Sequence, residues 1–252
     1  MYGLFRAEEG NHNGFAVNGL RPLEASLLHD AIGWDVRNWS RAVSFWESRL
    51  GDRLPGMRAL EIGCGRNGGL SLWLAWRGAT VICSGWPRIE PQPIRLHRRY
   101  GVSDCIDYLL ADARGLPFFQ SLDLICYKSV LGGIGRADPD KAARRVVAAI
   151  HRALKPGGYL LFAENLRASR WHGWLRDRFA SGKDGWHYWT INELISLHQS
   201  FDRFEFTTFG FVGALGRREW QRDWLARVDT VVSPVVPANQ RYAMAAICRK
   251  PG

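Results

Sequence analysis

The stretch Leu60-Glu61-Ile62-Gly63-Cys64-Gly65-Arg66-Asn67-Gly68-Gly69 constrains this chain more than any other. A short apolar strand carrying one acid breaks into a glycine-rich turn and then gives way to an apolar helix, Leu70 to Trp76. Glycine has no Cβ, so such a turn takes up left-handed backbone and lets N–H groups approach a ligand closely. The helix start behind it adds partial positive charge. Strand, tight turn and helix in that order begin a β–α–β unit.

The alternation continues. Strands are expected at 58–62, 79–84, 106–111, 122–127 and 158–164 with helical segments between them, which implies an α/β, doubly wound, mostly parallel sheet with helices on both faces. Pro87, Pro91 and Pro93 are expected to delay the helix after the second strand until Ile94–Tyr100. Ahead of the sheet, residues 1–57 form a helical attachment. Within it Trp39, Ala42, Val43, Trp46 and Leu50 recur at helical spacing after a cap at Asp35 or Asn38. That stripe either faces the core or closes as a lid over the site, and periodicity leaves both open. Residues 58–252 make the main domain, with an insertion at about 213–240. There Trp220, Trp224, Leu225 and Val228 fall at helical spacing among Arg217, Arg218, Arg222 and Arg227. The insertion packs on the domain or lies on an anionic lipid surface.

The spacing Gly63-x-Gly65-x-x-Gly68 also fits a dinucleotide fingerprint, so the glycines alone do not choose the ligand. Glu61, two positions before the first glycine, is more telling. With it the stretch resembles the first motif of class I S-adenosylmethionine (SAM) methyltransferases. Leu109-Leu110-Ala111-Asp112-Ala113, Leu122-Asp123-Leu124-Ile125-Cys126-Tyr127-Lys128 and Leu154-Lys155-Pro156-Gly157-Gly158-Tyr159-Leu160-Leu161-Phe162 resemble the third, fourth and fifth strands of that family. The resemblance spans about residues 58–165. It implies a Rossmann-like methyltransferase sheet, closed to seven strands by an antiparallel hairpin near 203–212 and 241–249. It also implies SAM as cofactor: Glu61 reaches its methionine part beside the turn residues Gly63, Cys64, Gly65 and Gly68. Asp112 and Ala113 would meet the adenine amine, and the end of the fourth strand, with Tyr127, would face the transferred methyl.

One position departs from the family. The acidic residue that ends the second strand and accepts both ribose hydroxyls falls on Gly85. Loss of a charge-assisted hydrogen bond costs about 1.5–3 kcal/mol, or roughly ten- to hundredfold in affinity. Ser84 or Glu90 substitutes, binding is weak but adequate, or the chain keeps the fold without catalysis. On this reading Gly85→Asp tightens SAM binding.

Methyl transfer is an in-line displacement that needs alignment and, for a hydroxyl acceptor, removal of a proton. Lys128-Ser129-Val130-Leu131-Gly132-Gly133 should line the reaction site, with Lys128 placed to orient an anionic acceptor or to lower the pKa of a hydroxyl. The Asn/Asp-Pro-Pro-Tyr/Phe tetrapeptide of amino methyltransferases is absent after the fourth strand. After the fifth strand, Arg167, Trp171, His172, Arg176, Arg178, Trp186, His187 and Tyr188 suit a sugar or phosphorylated glycan. His172 is the preferred general base and His187 the second. His151 reads as solvent-facing.

A formal charge of +10 and a pI of about 9.8 favour an anionic partner. Arg95-Leu96-His97-Arg98-Arg99 reads as a solvated helix surface. Cysteines 64, 83, 105, 126 and 248 show no CxxC spacing, read as buried thiols, and suggest no metal site. No apolar run reaches membrane-spanning length, and Met1–Glu9 lacks the order of a signal peptide. The expectation is a cytoplasmic methyltransferase, peripheral to the inner membrane face if it binds lipid. Its expected chemistry is O-methylation of a glycan, lipid-linked sugar or small molecule, and the resemblance suggests a bacterial branch associated with surface polysaccharide. A nucleic-acid methyltransferase and a non-catalytic methyltransferase-like scaffold are the alternatives. An NAD-linked enzyme fits least, since no Tyr-x-x-x-Lys occurs.

Overall fold

In a computed structural model of the chain, which describes residues 6–7, 23–179, 185–216 and 218–252, the glycine-rich turn joins β2 (Arg58–Ile62) to α3 (Gly69–Trp76). The alternation then runs through β3 (Thr80–Gly85), α4 (Pro91–Arg99), β4 (Ile106–Leu110), β5 (Leu122–Lys128), α5 (Pro139–Ala153) and β6 (Leu154–Asn165). After α6 (Arg170–Phe179) and α7 (Ile191–Leu197), β7 (Arg203–Phe209) and β8 (Ala243–Arg249) flank α8 (Glu219–Val232). Ahead of β2 lie a two-residue strand β1 (Arg6–Ala7) and the helices α1 (Ala25–Ile32) and α2 (Val36–Leu50).

The sheet order is β1-β7-β8-β6-β5-β2-β3-β4. β8 runs antiparallel to both neighbours and every other pairing is parallel. This is the doubly wound, mostly parallel seven-stranded sheet expected, with β1 added at the edge. The carboxyl ends of β2, β3, β4, β5, β6 and β7 therefore open on one edge, where open α/β sheets bind ligands.

Two local expectations change. Pro91 and Pro93 do not delay α4: the helix starts at Pro91, because the first turn of a helix needs no N–H from proline. The Lys155-Pro156-Gly157-Gly158 turn is absorbed into β6, which begins at Leu154 and passes a register shift opposite Leu122 and Leu124, with Gly157 at φ +74°.

One face of the sheet carries α2 and α3. The stripe of α2, Trp39, Ala42, Val43, Trp46 and Leu50, is buried to 3% exposure or less. Each such large side chain stabilises by about 1.5–3 kcal/mol. Trp46 donates its indole N–H to the Ala246 carbonyl at 3.1 Å, while Trp73 and Arg77 of α3 share the Glu47 carboxylate at 2.8 and 2.6 Å. The other face is packed by α5 and α7 around Tyr127, Phe162 and Trp189. Cys64, Cys83, Cys126 and Cys248 are buried free thiols, and Cys105 is exposed. His151 is half-buried against Phe201, not solvent-facing, because its helix end lies under that ring.

The start of α2 is fixed from far along the chain. Asp35, the expected cap, has a left-handed φ of +46° and makes no side-chain cap bond. Glu219 of α8 caps the helix instead, accepting from the Asp35 and Val36 amides at 2.9 and 2.8 Å. Beneath it Asn38 donates to Asp229 at 3.0 Å and to the Tyr242 hydroxyl at 2.8 Å, and Tyr242 donates to Asp35. Asp229 also accepts from the amides of Val212 and Gly213 at 2.7 and 3.0 Å. Among the described residues no helix is long and apolar enough to cross a membrane.

Candidate active site

Gly63, Gly65 and Gly68 have φ of +68°, +55° and +56°, the region glycine enters without Cβ strain. Glu61 locks the turn from below. Its carboxylate accepts from the Leu70 and Ser71 amides at 3.3 and 2.8 Å and from the Ser71 hydroxyl at 2.5 Å, satisfying N–H groups that open α3. Burial raises the Glu61 pKa, against the effect of those donors and of Lys128. The Cys64 amide donates to the Ser84 carbonyl at 2.8 Å and ties the turn to β3.

His97 holds the far end of the turn. A carbonyl can only accept, so Nε2 carries the proton toward the Gly68 oxygen at 2.8 Å, and Nδ1 accepts from the Tyr108 hydroxyl at 2.8 Å. Burial lowers the His97 pKa and keeps the ring neutral. Reading 95–99 as a solvated run missed this residue. The available signal was its spacing: Pro93 and His97, one turn apart, are the buried face of α4, and the arginines lie around it.

The two ends of this edge differ in the room they leave for a ligand. A Cβ at Gly65 would meet nothing nearer than the Gly63 carbonyl at 3.9 Å, so the turn is open there above the buried acid, as the methionine end requires. The ribose end differs from expectation. A Cβ at Gly85 would lie 2.8 Å from the Arg88 carbonyl and 3.1 Å from Ile89, because the chain after β3 folds back over the position. An aspartate there would collide with backbone. Ser84 does not substitute: fully buried, it donates to the Glu61 carbonyl at 2.7 Å. Glu90 accepts from Arg88 at 2.5 Å on the surface. At the adenine end, Asp112 accepts from the Arg114 amide at 2.9 Å and its guanidinium at 2.6 Å, which holds the carboxyl below the usual range. Ala113 beside it is buried, and Trp86, next to Gly85, is 61% exposed.

On the acceptor side Tyr127 does not face the methyl position. Strand alternation turns its ring into the α5–α7 core, stacked 5.4 Å from Phe162. Lys128 takes the opposite face. Its ammonium donates to the Ile32 carbonyl at 2.5 Å, at the end of α1, and lies 5.4 Å from the Trp39 ring centre. Burial lowers its pKa to about 8, opposed by Glu61, Asp35 and Glu219. α1 reaches this place because Gly69 has no side chain: a Cβ there would sit 1.8 Å from the Ala31 carbonyl.

The turn after β5 is held by Glu164, a residue to which the sequence alone assigns no role in the site. Fully buried, it accepts from the amides of Val130 and Leu131, each at 2.7 Å, and burial raises its pKa to about 7. Val130 in turn backs Gly63, whose Cβ would lie 2.9 Å from it. The segment from Gly185 covers the same turn: Trp186 overlies Gly132 and Gly133, and the His187 amide donates to the Gly132 carbonyl at 2.8 Å. The His187 ring is half-exposed, 4.3 Å from Trp189. His172 is not available as a base. It is 2% exposed, with Nε2 donating to the Phe211 carbonyl at 2.6 Å and Nδ1 paired with the Ser169 hydroxyl at 2.7 Å. Arg217 and the side chains of Arg176 and Arg178 lie outside the described residues.

Comparison with known proteins agrees with this geometry. Residues 60–162 match the methyltransferase domain family. An uncharacterized methyltransferase of Synechocystis sp. is 29% identical over 121 residues, 48% of this chain and 52% of that protein, so the chain spans about half the length of the curated relative it matches. Among solved structures, the SAM complex of Haemonchus contortus phosphoethanolamine N-methyltransferase 2 is 15% identical with a TM-score of 0.56, covering 85% of this chain and 53% of that one. The [4+2]-cyclase SpnF is 21% identical with a TM-score of 0.52, covering 81% and 80%. Residues 60–162 thus match a methyltransferase domain, and the strand order and acid-backed turn are similar to those of class I SAM-dependent methyltransferases.

Proposed function

We propose that the protein methylates an oxygen of a small anionic acceptor, of the kind offered by a glycan, a lipid-linked sugar or a phosphorylated small molecule. The observation that carries the reading is Lys128. It stands where β5 ends beside the glycine-rich turn, half-buried, with a pKa of about 8. Below about pH 8 its ammonium attracts an anion and lowers the pKa of a hydroxyl beside it, and above that pH the free amine takes the hydroxyl proton. Bound SAM supplies a sulfonium methyl as the electrophile. Glu61 keeps the turn and the start of α3 in place for it, Lys128 receives the acceptor proton, and His187 is the second candidate for that role. α1 covers Lys128 through Ile32, so a lid role for the attachment belongs to α1, while α2 serves the core.

The closed position at Gly85 and the paired Asp112 favour one rival, a scaffold that keeps the fold without turnover. Calorimetric titration separates the two. Binding of SAM but not of NAD, with methyl transfer to an anionic hydroxyl acceptor lost in Lys128→Met while SAM affinity stays unchanged, supports the enzyme. No heat with SAM would leave the scaffold.

A further inference from the structure

The apolar stripe of α8 faces outward. Trp220 and Trp224 are 66% and 62% exposed and Val231 is 79% exposed, and these positions share one face of a helix. The inward face packs only the small apolar Ala226 and is otherwise anchored by polar groups: Glu219 caps α2 and Asp229 is buried on Asn38 and two amides. A helix that only packs on its own domain shows the reverse arrangement. Beside the two tryptophans, Leu215, Gly216, Gln221 and Leu225 complete the lining of a cavity of about 390 Å³.

Charge selects what covers this face. Arg37, Arg218 and Arg227 are exposed around it. Among them lies one acid, Asp223, held by Arg37 at 2.7 Å and Arg227 at 3.2 Å, so the arginines outnumber it; Glu219 is bonded to α2 and Asp229 is buried. A second copy meeting it across a two-fold axis would set arginine against arginine, on chains of formal charge +10. We propose that this face of α8 docks on an anionic bilayer surface, with Trp220 and Trp224 at headgroup level and the arginines on lipid phosphates. α8 begins just beyond the carboxyl end of β7, and Glu219 holds the helix that starts next to Lys128's cover. Docking therefore turns the acceptor side toward the lipid, and it stands independently of the chemistry proposed above.

Co-sedimentation of the full chain with phosphatidylcholine vesicles, with and without phosphatidylglycerol, tests the proposal. Pelleting should require the anionic lipid and fall with added salt. Trp220→Ser with Trp224→Ser should lower the partition coefficient by about a hundredfold, and Arg218→Gln with Arg227→Gln by about tenfold, with unchanged melting because the four side chains are exposed. Absence from anionic vesicles at low salt overturns the proposal, as does equal pelleting of the tryptophan double variant. A dimer in sedimentation equilibrium that the same variant dissolves overturns it too, by giving the face to a second copy.

Discussion

Two buried polar clusters flank the candidate site, and they are assembled differently. Around the glycine-rich turn, Glu61 meets Ser71 ten residues away and His97 meets Gly68 twenty-nine residues away. In the cluster that joins α2, α8 and β8, Asn38 meets Asp229 across 191 residues and Tyr242 meets Asp35 across 207. The first cluster shapes the glycine-rich turn from consecutive β–α units, β2–α3 and β3–α4. The second fastens the late insertion to the early helix. Short-range closure costs less loop entropy, so the turn can form with the two units that follow one another there, whereas the second cluster needs elements from both ends of the chain.

The sharpest break of this comparison is Asp229→Ala. It leaves the amides of Val212 and Gly213 without their acceptor, removes one of the acceptors of Asn38, and should cost about 3–5 kcal/mol in denaturant unfolding. SAM affinity in the folded protein should be unchanged, and a matching loss of affinity would mean that the two clusters act as one. His97→Phe removes the partners of Gly68 and Tyr108 and should cost about 2–4 kcal/mol. Here calorimetry should show weaker SAM binding as well. Gly85→Asp should cost about 1–3 kcal/mol because its Cβ meets the Arg88 carbonyl, and it should not tighten SAM.

The clusters also respond to pH with opposite sign. Asp35 is raised from 3.8 to about 7 by burial, so its contribution is complete below about pH 4 and is lost as pH rises through 7. His97 is lowered below 6.5, so its contribution is complete above that pH and is lost as pH falls. Each slope is limited to about 1.4 kcal/mol per pH unit. Melting temperature against pH should rise at the alkaline end in Asp35→Asn, while His97→Phe should flatten the acid limb. The smallest effect is expected of Glu90→Gln. It breaks a surface pair with Arg88 and should change stability by less than about 0.5 kcal/mol and SAM affinity not at all.

Much of the fold was legible because its signals are local. Strand and turn chemistry at Leu60–Gly69 specify a β–α unit, and the observed β2, β3, β4 and β5 begin and end within a residue or so of the expected positions. The buried stripe of α2 followed from helical spacing alone. The candidate site was less legible. Ser84 and Tyr127 lie at the expected strand ends, yet which face each side chain takes depends on register with neighbouring strands. His172 was singled out for its chemistry, but availability depends on what packs against the ring, here Phe211 and Tyr242 from elsewhere in the chain.

By itself the sequence determined the acid-backed turn, the alternation that makes the sheet parallel, and the absence of an acid at position 85, because each is written within a few adjacent residues. Only the tertiary structure decided why that acid has no room, which residue caps α2, which basic groups remain exposed, and that the tryptophans of α8 face outward. Those outcomes turn on contacts between segments that no local pattern encodes, where one backbone carbonyl at 2.8 Å outweighs a side-chain preference.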